Sequence, residues 1–190
     1  MLKVSVVVAL LSVALFASDP ALAVKVEPVE GASIYGQPDP TAIAPGAGAM
    51  TARADGLGYW IATTEGVVVA FGQAEHYGDM KGTTLNKPIV GMVATSTGQG
   101  YWLVATDGGI FSFGDAVFYG STGALTLNSP IVGMAATQTG AGYWLVAADG
   151  GVFSYGDARF YGSTGAIKLN RPIVAMLSTK TSEGLSLIHI

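Results

Sequence analysis

The chain has no cysteine among its 190 residues, so a disulfide framework, a thiol nucleophile and cysteine-held metal are all excluded. Charge is scarce as well. Lys, Arg, Asp and Glu together make up 12% of the residues and the formal net charge is −4, where about a quarter charged is usual. No cluster of Lys or Arg is present to neutralise phosphates, which argues against a nucleic-acid partner. Of the two histidines, His189 lies in the last few residues and His76 stands alone, so neither a Ser-His-Asp triad nor a multi-histidine zinc site finds support. The glycine-rich stretches are not followed by helical patterns, which removes a phosphate-cradling loop.

What the chain has is glycine, 27 residues of it, and a repeat. Gly100–Ala141 is followed without a gap by a second copy, Gly142–Glu183, and preceded by a looser one, Gly58–Gln99. The later two agree at 29 of 42 positions. A fixed period of this length marks a repeat architecture and outranks any local signal.

Within the central copy, Tyr101–Thr106 and Ile110–Gly114 are runs of aromatic and β-branched residues separated by Asp107-Gly108-Gly109. This reads as a hairpin, with Asp-Gly suggesting a type I′ turn. A further short strand is expected through Phe118-Tyr119, and another opens after Pro130 and runs over Ile131–Thr137, since Pro is tolerated at the first residue of a strand. Each period is therefore expected to hold about four antiparallel strands. Tyr101-Trp102-Leu103-Val104-Ala105 carries apolar side chains on both faces, whereas a sheet with one wet face alternates. Both faces must then be covered, and the neighbouring copy is the candidate. The expectation is an all-β fold, a partial β-propeller of about three four-stranded blades of 42 residues. Gly91, Gly133, Ala135 and Ala136 suit its crowded innermost strand. A weaker half-repeat is expected near Ala32, with a first strand around 47–54.

The text Gly-Tyr-Trp-Leu-Val-Ala-x-Asp-Gly-Gly-x-Phe-Ser-Phe/Tyr-Gly-Asp-Ala-x-Phe-Tyr-Gly-Ser-Thr-Gly, at 100–123 and 142–165, resembles the tandem repeats of exported actinobacterial proteins. The resemblance implies propeller-like modules, often attached to cell-wall hydrolases, peptidases or other secreted enzymes. It supplies no catalytic residue to carry over. The first copy departs from it with Glu65-Gly66, Gln73 and Gly78-Asp79-Met80. Choline-binding repeats are also rich in Gly, Tyr and Trp, but their period is about half as long and lacks the Asp-Gly-Gly hairpin.

Four aspartates recur by period: Asp107 with Asp115, and Asp149 with Asp157. They could serve as paired carboxylates or as Ca²⁺ ligands. Recurrence once per unit favours turn support instead, so no cofactor is expected and Ca²⁺ stands as the alternative. Trp60, Trp102 and Trp144, each beside a tyrosine, are candidates for stacking on sugar rings, set against packing between sheets. Partner choice should lie where copies differ: Glu75, Val117 and Arg159; Lys87, Ser129 and Arg171; Thr84, Thr126 and Lys168. Arg159 and Arg171 join the tryptophans as candidate ligand-binding residues. Glu65, Glu75, His76 and Asp79 are the unrepeated acid–base groups that a propeller enzyme would use.

The ends read as processing segments. Lys3, an apolar run over Val4–Phe16 and Ala21-Leu22-Ala23 form a secretory signal, leaving Val24 as the mature start. The apolar run is shorter than the roughly 20 residues that cross a membrane. Residues 24–45, with Pro28, Pro38, Pro40 and Pro45, read as linker or degraded half-repeat. Leu185–Ile190 resembles a sequencing-adapter scar and is set apart from the fold, which would make the chain a fragment. The expectation is a secreted or cell-surface, non-enzymatic binding or display module, its partners a cell-wall glycan, a surface protein or further blades. The alternative is the accessory region of a secreted cell-wall hydrolase or peptidase with its catalytic domain missing.

Overall fold

The computed structural model describes residues 46–179 and 181–189; the leader expected over 1–23 and the linker or half-repeat expected over 24–45 lie outside them. The described chain is all-β. Strands β1 (Ala47–Ala52), β2 (Gly58–Thr63) and β3 (Val68–Gly72) form the first antiparallel sheet, in that spatial order. β4 (Ile89–Ala94), β5 (Gly100–Ala105) and β6 (Ile110–Gly114) form the second. β7 (Ile131–Ala136), β8 (Gly142–Ala147) and β9 (Val152–Gly156) form the third. β10 (Ile173–Ser178) and β11 (Leu185–His189) pair as a fourth. Registers repeat along the chain: Trp102 lies opposite Val93 and Ser112, and Trp144 opposite Ala135 and Ser154.

Alternate side chains of each middle strand enter different cores. Tyr101, Leu103 and Ala105 pack with Trp60, Ala62 and Val68 of the first sheet. Trp102 and Val104 pack with Tyr143, Leu145 and Ala147 of the third. Trp144 and Val146 do the same with Ile173 and Met176 of the fourth. Sheets are thus stacked face to face, and all six residues of β5 and of β8 are buried. The first strands lie beside one another, β1 against β4, β4 against β7 and β7 against β10. A Cβ added to Gly48 of β1 would sit 2.6 Å from the Ile89 carbonyl oxygen of β4, and one added to Gly91 would sit 2.6 Å from Val104 Cγ1, so close packing holds these two positions to glycine.

Two sequence expectations are corrected. Among the described residues the first three sheets have three strands each, not four. The stretch through Phe118-Tyr119 is not a strand because side chains have taken its backbone groups. Trp102 Nε1 donates to the Val117 carbonyl at 2.8 Å, Tyr119 N–H donates to the Tyr143 hydroxyl at 3.1 Å, and that hydroxyl donates to the Gly120 carbonyl at 2.6 Å. The same lock holds 75–78 through Trp60 and Tyr101. A peptide bonded in this way has little left for a ladder.

The hairpins also differ from type I′. Gly108 has φ +79° while Asp107 is not in the left-handed region, and Gly108 N–H donates to the Ala105 carbonyl at 2.8 Å. This is a type I turn closed by a left-handed glycine, the three-residue hairpin loop. The returning chain crosses its tip so closely that a Cβ on Gly108 would collide with Thr122 Oγ1. Leu185–His189, set apart on sequence grounds, pairs with β10 as strand β11. Leu185 and Leu187 pack onto the core while Ser186 faces out, an alternation that suits a half-covered strand.

Candidate binding surface

The three tryptophans are not open to ligand. Trp60, Trp102 and Trp144 are 0, 1 and 0% exposed. Each indole N–H is bonded to a backbone carbonyl, that of Glu75, Val117 or Arg159, at 2.7–2.8 Å. The Trp60 ring lies 5.5 Å from that of Tyr101, and the Trp102 ring 5.8 Å from that of Tyr143. These rings join sheet to sheet and present no face to a sugar.

The aspartates serve turns. Asp107 Oδ1 accepts Gly109 N–H at 2.9 Å and Asp149 Oδ1 accepts Gly151 N–H at 2.9 Å, the side-chain mimic of a backbone turn. Asp115 reaches across to the β4–β5 turn, where its two oxygens accept the hydroxyls of Thr95 and Thr97. Asp157 does the same for Thr137 and Thr139. The first sheet keeps the clamp with different chemistry: Arg53 and Asp55 stand where the threonines would be, and Gln73 where the aspartate would be. Arg53 donates to Asp55 at 2.7 Å and to the backbone carbonyl of Gln73 at 3.0 Å. The guanidinium hydrogen bond, helped by Leu57 N–H, holds the Asp55 carboxyl down at about 2. Among the described residues no three His, Cys, Asp or Glu side chains converge as a metal site.

The unrepeated groups are dispersed. His76 Nε2 lies 3.4 Å from Asp79, whose other oxygen accepts Lys81 N–H at 2.9 Å. Glu65 is exposed on the first hairpin. Glu75 lines an open depression of about 640 Å³ together with Arg53, Tyr77, Thr97, Gln99 and Asp115, and His76 is not part of it. A smaller hollow of about 410 Å³ lies between Leu125–Ser129 and the β8–β9 hairpin.

The variable positions fall on the surface, with Glu75, Val117, Arg159, Lys87 and Arg171 all exposed. The Arg159 guanidinium sits 5.9 Å from the centroid of the Tyr161 ring, within cation–π range. Arg171 is placed apart from it, just before β10. Phe118 and Phe160, overlooked as candidates, are 57 and 58% exposed. Their signal in the sequence was present but ambiguous, since an aromatic inside an expected strand reads as packing. No family model matches the chain, and none of the curated proteins matches it. Among the described residues no helix is long and apolar enough to cross a membrane.

Proposed function

We propose that the chain is a non-catalytic β-propeller module, exported and used for binding or display at the cell surface. The observation that carries this reading is the division of labour between repeated and variable residues. The repeated Tyr-Trp pairs of β2, β5 and β8 are buried in sheet-to-sheet packing and connector locks, and the repeated Asp side chains are occupied in turns. Variable residues such as Glu75, Val117 and Arg159 are outside. Sheets stacked through both faces, with first strands side by side, support propeller geometry. The repeated carboxylates Asp107, Asp115, Asp149 and Asp157 are all bonded to turns, which favours a scaffold over a reaction centre.

The test is co-sedimentation of the full chain with bacterial cell envelopes, alongside an assay for release of soluble envelope fragments. Saturable retention without release is expected. Release of fragments that is lost in Glu75→Ala, His76→Ala or Asp79→Ala would overturn the reading in favour of an enzyme.

A further inference from the structure

The outward face of the fourth sheet breaks a pattern that the rest of the stack keeps. Val90 and Val93 of β4 are half-buried against the core that holds Tyr143, Leu145 and Ala147 of the third sheet. One period later, Val132 and Ala135 of β7 pack in the core that holds Ile173 and Met176 of the fourth, and Ala135 is 8% exposed. One period later again, Val174 and Leu177 of β10 are 45 and 55% exposed. Ser186, opposite Leu177 in β11, is exposed too, whereas its counterpart Trp144, opposite Ala135, is buried. The same strand positions are covered at two junctions and open at the third. Other apolar side chains are also exposed, but at connector positions that are open in both later copies: Phe118 57% and Phe160 58%, Leu125 57% and Ile167 62%. Solvent is the ordinary surrounding of those residues. For Val174 and Leu177 the ordinary surrounding, set by the two preceding junctions, is another sheet.

We infer that this face docks a second copy of the chain, fourth sheet against fourth sheet, continuing the stacking contact across a two-fold axis. The two ends of the stack decide between a closed pair and a head-to-tail row. In β5 and β8 the side chains facing the preceding sheet are Tyr, Leu and Ala; in β2 the same positions hold Tyr59, Ile61 and Thr63. These three are 8, 2 and 0% exposed, so that end offers no open apolar face to receive Val174 and Leu177 of another copy. A face that is open at one end only pairs with itself, the isologous two-fold arrangement. Val174, Leu177, Ser186 and Ile188 are all uncharged, so two such faces meet without like-charge repulsion. One two-stranded sheet is small beside the roughly 800 Å² per partner of a standard interface, which makes the pairing weak and reversible. A pair carries every variable surface residue twice, and two-point attachment raises avidity; this consequence rests on the module reading, while the pairing itself does not.

The experiment is sedimentation velocity on the full chain from about 5 µM to about 500 µM, the range in which a contact of this size associates. A monomer–dimer equilibrium is expected, with a Tm that rises with concentration. Val174→Asp and Leu177→Asp place an unpaired charge in the contact and should each weaken pairing at least tenfold. Both side chains are exposed in the single chain, so these variants keep the fold. Ser186→Leu adds apolar area and should tighten pairing roughly threefold or more, with the dimer still the largest species. Phe118→Asp and Ile167→Asp, on the connectors, should leave pairing unchanged. A wild type that stays monomeric throughout would overturn the inference, as would pairing undiminished in both β10 variants. Growth beyond the dimer would overturn the closed pair in favour of head-to-tail addition. None of these results alters retention on cell envelopes, so the proposed function stands or falls by its own test.

Discussion

Removing one oxygen from Tyr143 probes the feature that separates this fold from a four-stranded sheet. Tyr143 is 0% exposed; its hydroxyl accepts Tyr119 N–H at 3.1 Å and donates to the Gly120 carbonyl at 2.6 Å. In Tyr143→Phe both half-buried backbone groups lose their partner. A hydrogen bond contributes about 1 kcal/mol net, and a buried group left unpaired costs about 1–3 kcal/mol. The expected loss is about 2–3 kcal/mol, or roughly 4–12 °C in Tm for a domain of this size. Tyr161→Phe is the control, since Tyr161 is 39% exposed and its hydroxyl meets only the Ser182 carbonyl; its loss should stay below about 0.5 kcal/mol. Urea melts at matched m-values give the comparison. A Tyr143→Phe cost no larger than the control would refute the idea that tyrosine hydroxyls hold the connectors out of the sheet. Alkaline titration adds a second reading. Burial raises Tyr143 above its ordinary value and pushes Tyr101 up to about 12. A raised pKa means the neutral ring's contribution is complete below pH ~10 and is lost as pH climbs from there towards about 12. Phenylalanine at either position should flatten that alkaline decline.

Three further outcomes are expected. The buried hydroxyls of Ser112 and Ser154 have no hydrogen-bond partner among the described residues, and Ala70 occupies the same place in the first sheet. The double Ser→Ala variant should therefore be neutral or up to about 1 kcal/mol more stable by urea melting. Ser182 has φ 55°, whereas glycines with φ +70 to +72° hold the corresponding positions at Gly98 and Gly140. Ser182→Gly should stabilise by about 0.5–1 kcal/mol, by relief of left-handed strain partly offset by loss of the exposed Gln138 N–H bond. Asp55 titrates low because Arg53 donates to its carboxylate. Its contribution is present above pH ~4 and lost as pH falls towards about 2. An NMR titration of Arg53→Gln should show the Asp55 carboxyl returned towards its ordinary value.

The strands were legible where a single local rule decided them. Tyr101–Ala105, with apolar side chains on both faces, declared a doubly covered strand, and Pro88, Pro130 and Pro172 marked the residue before β4, β7 and β10. The missing strand was not legible. Phe118-Tyr119 has strand-like composition, and the competing bonds come from Trp102 and Tyr143, 15 and 24 residues away. Propensity carries no information about side chains arriving from that distance. The tryptophans were legible as packing or stacking residues, since both roles use the same side chain, and burial decides for packing. The role of Asp115 was half visible, as a turn residue, while its threonine partners lay 18 and 20 residues upstream. Gln73 looked like drift, and the turn it faces is closed instead by Arg53, which bonds Asp55 and the Gln73 backbone carbonyl. Leu185–His189 entered the fold because apolar alternation was enough to extend the stack, without the Tyr-Trp pair.

Contact between Trp102 of the second sheet and Tyr143 of the third, measured as a nuclear Overhauser effect between their rings in selectively labelled protein, tests the face-to-face stacking most directly. Rings 5.8 Å apart between centroids should give a clear cross-peak, with a matching one between Trp60 and Tyr101 at 5.5 Å. Indole cross-peaks confined to each ring's own sheet would contradict it.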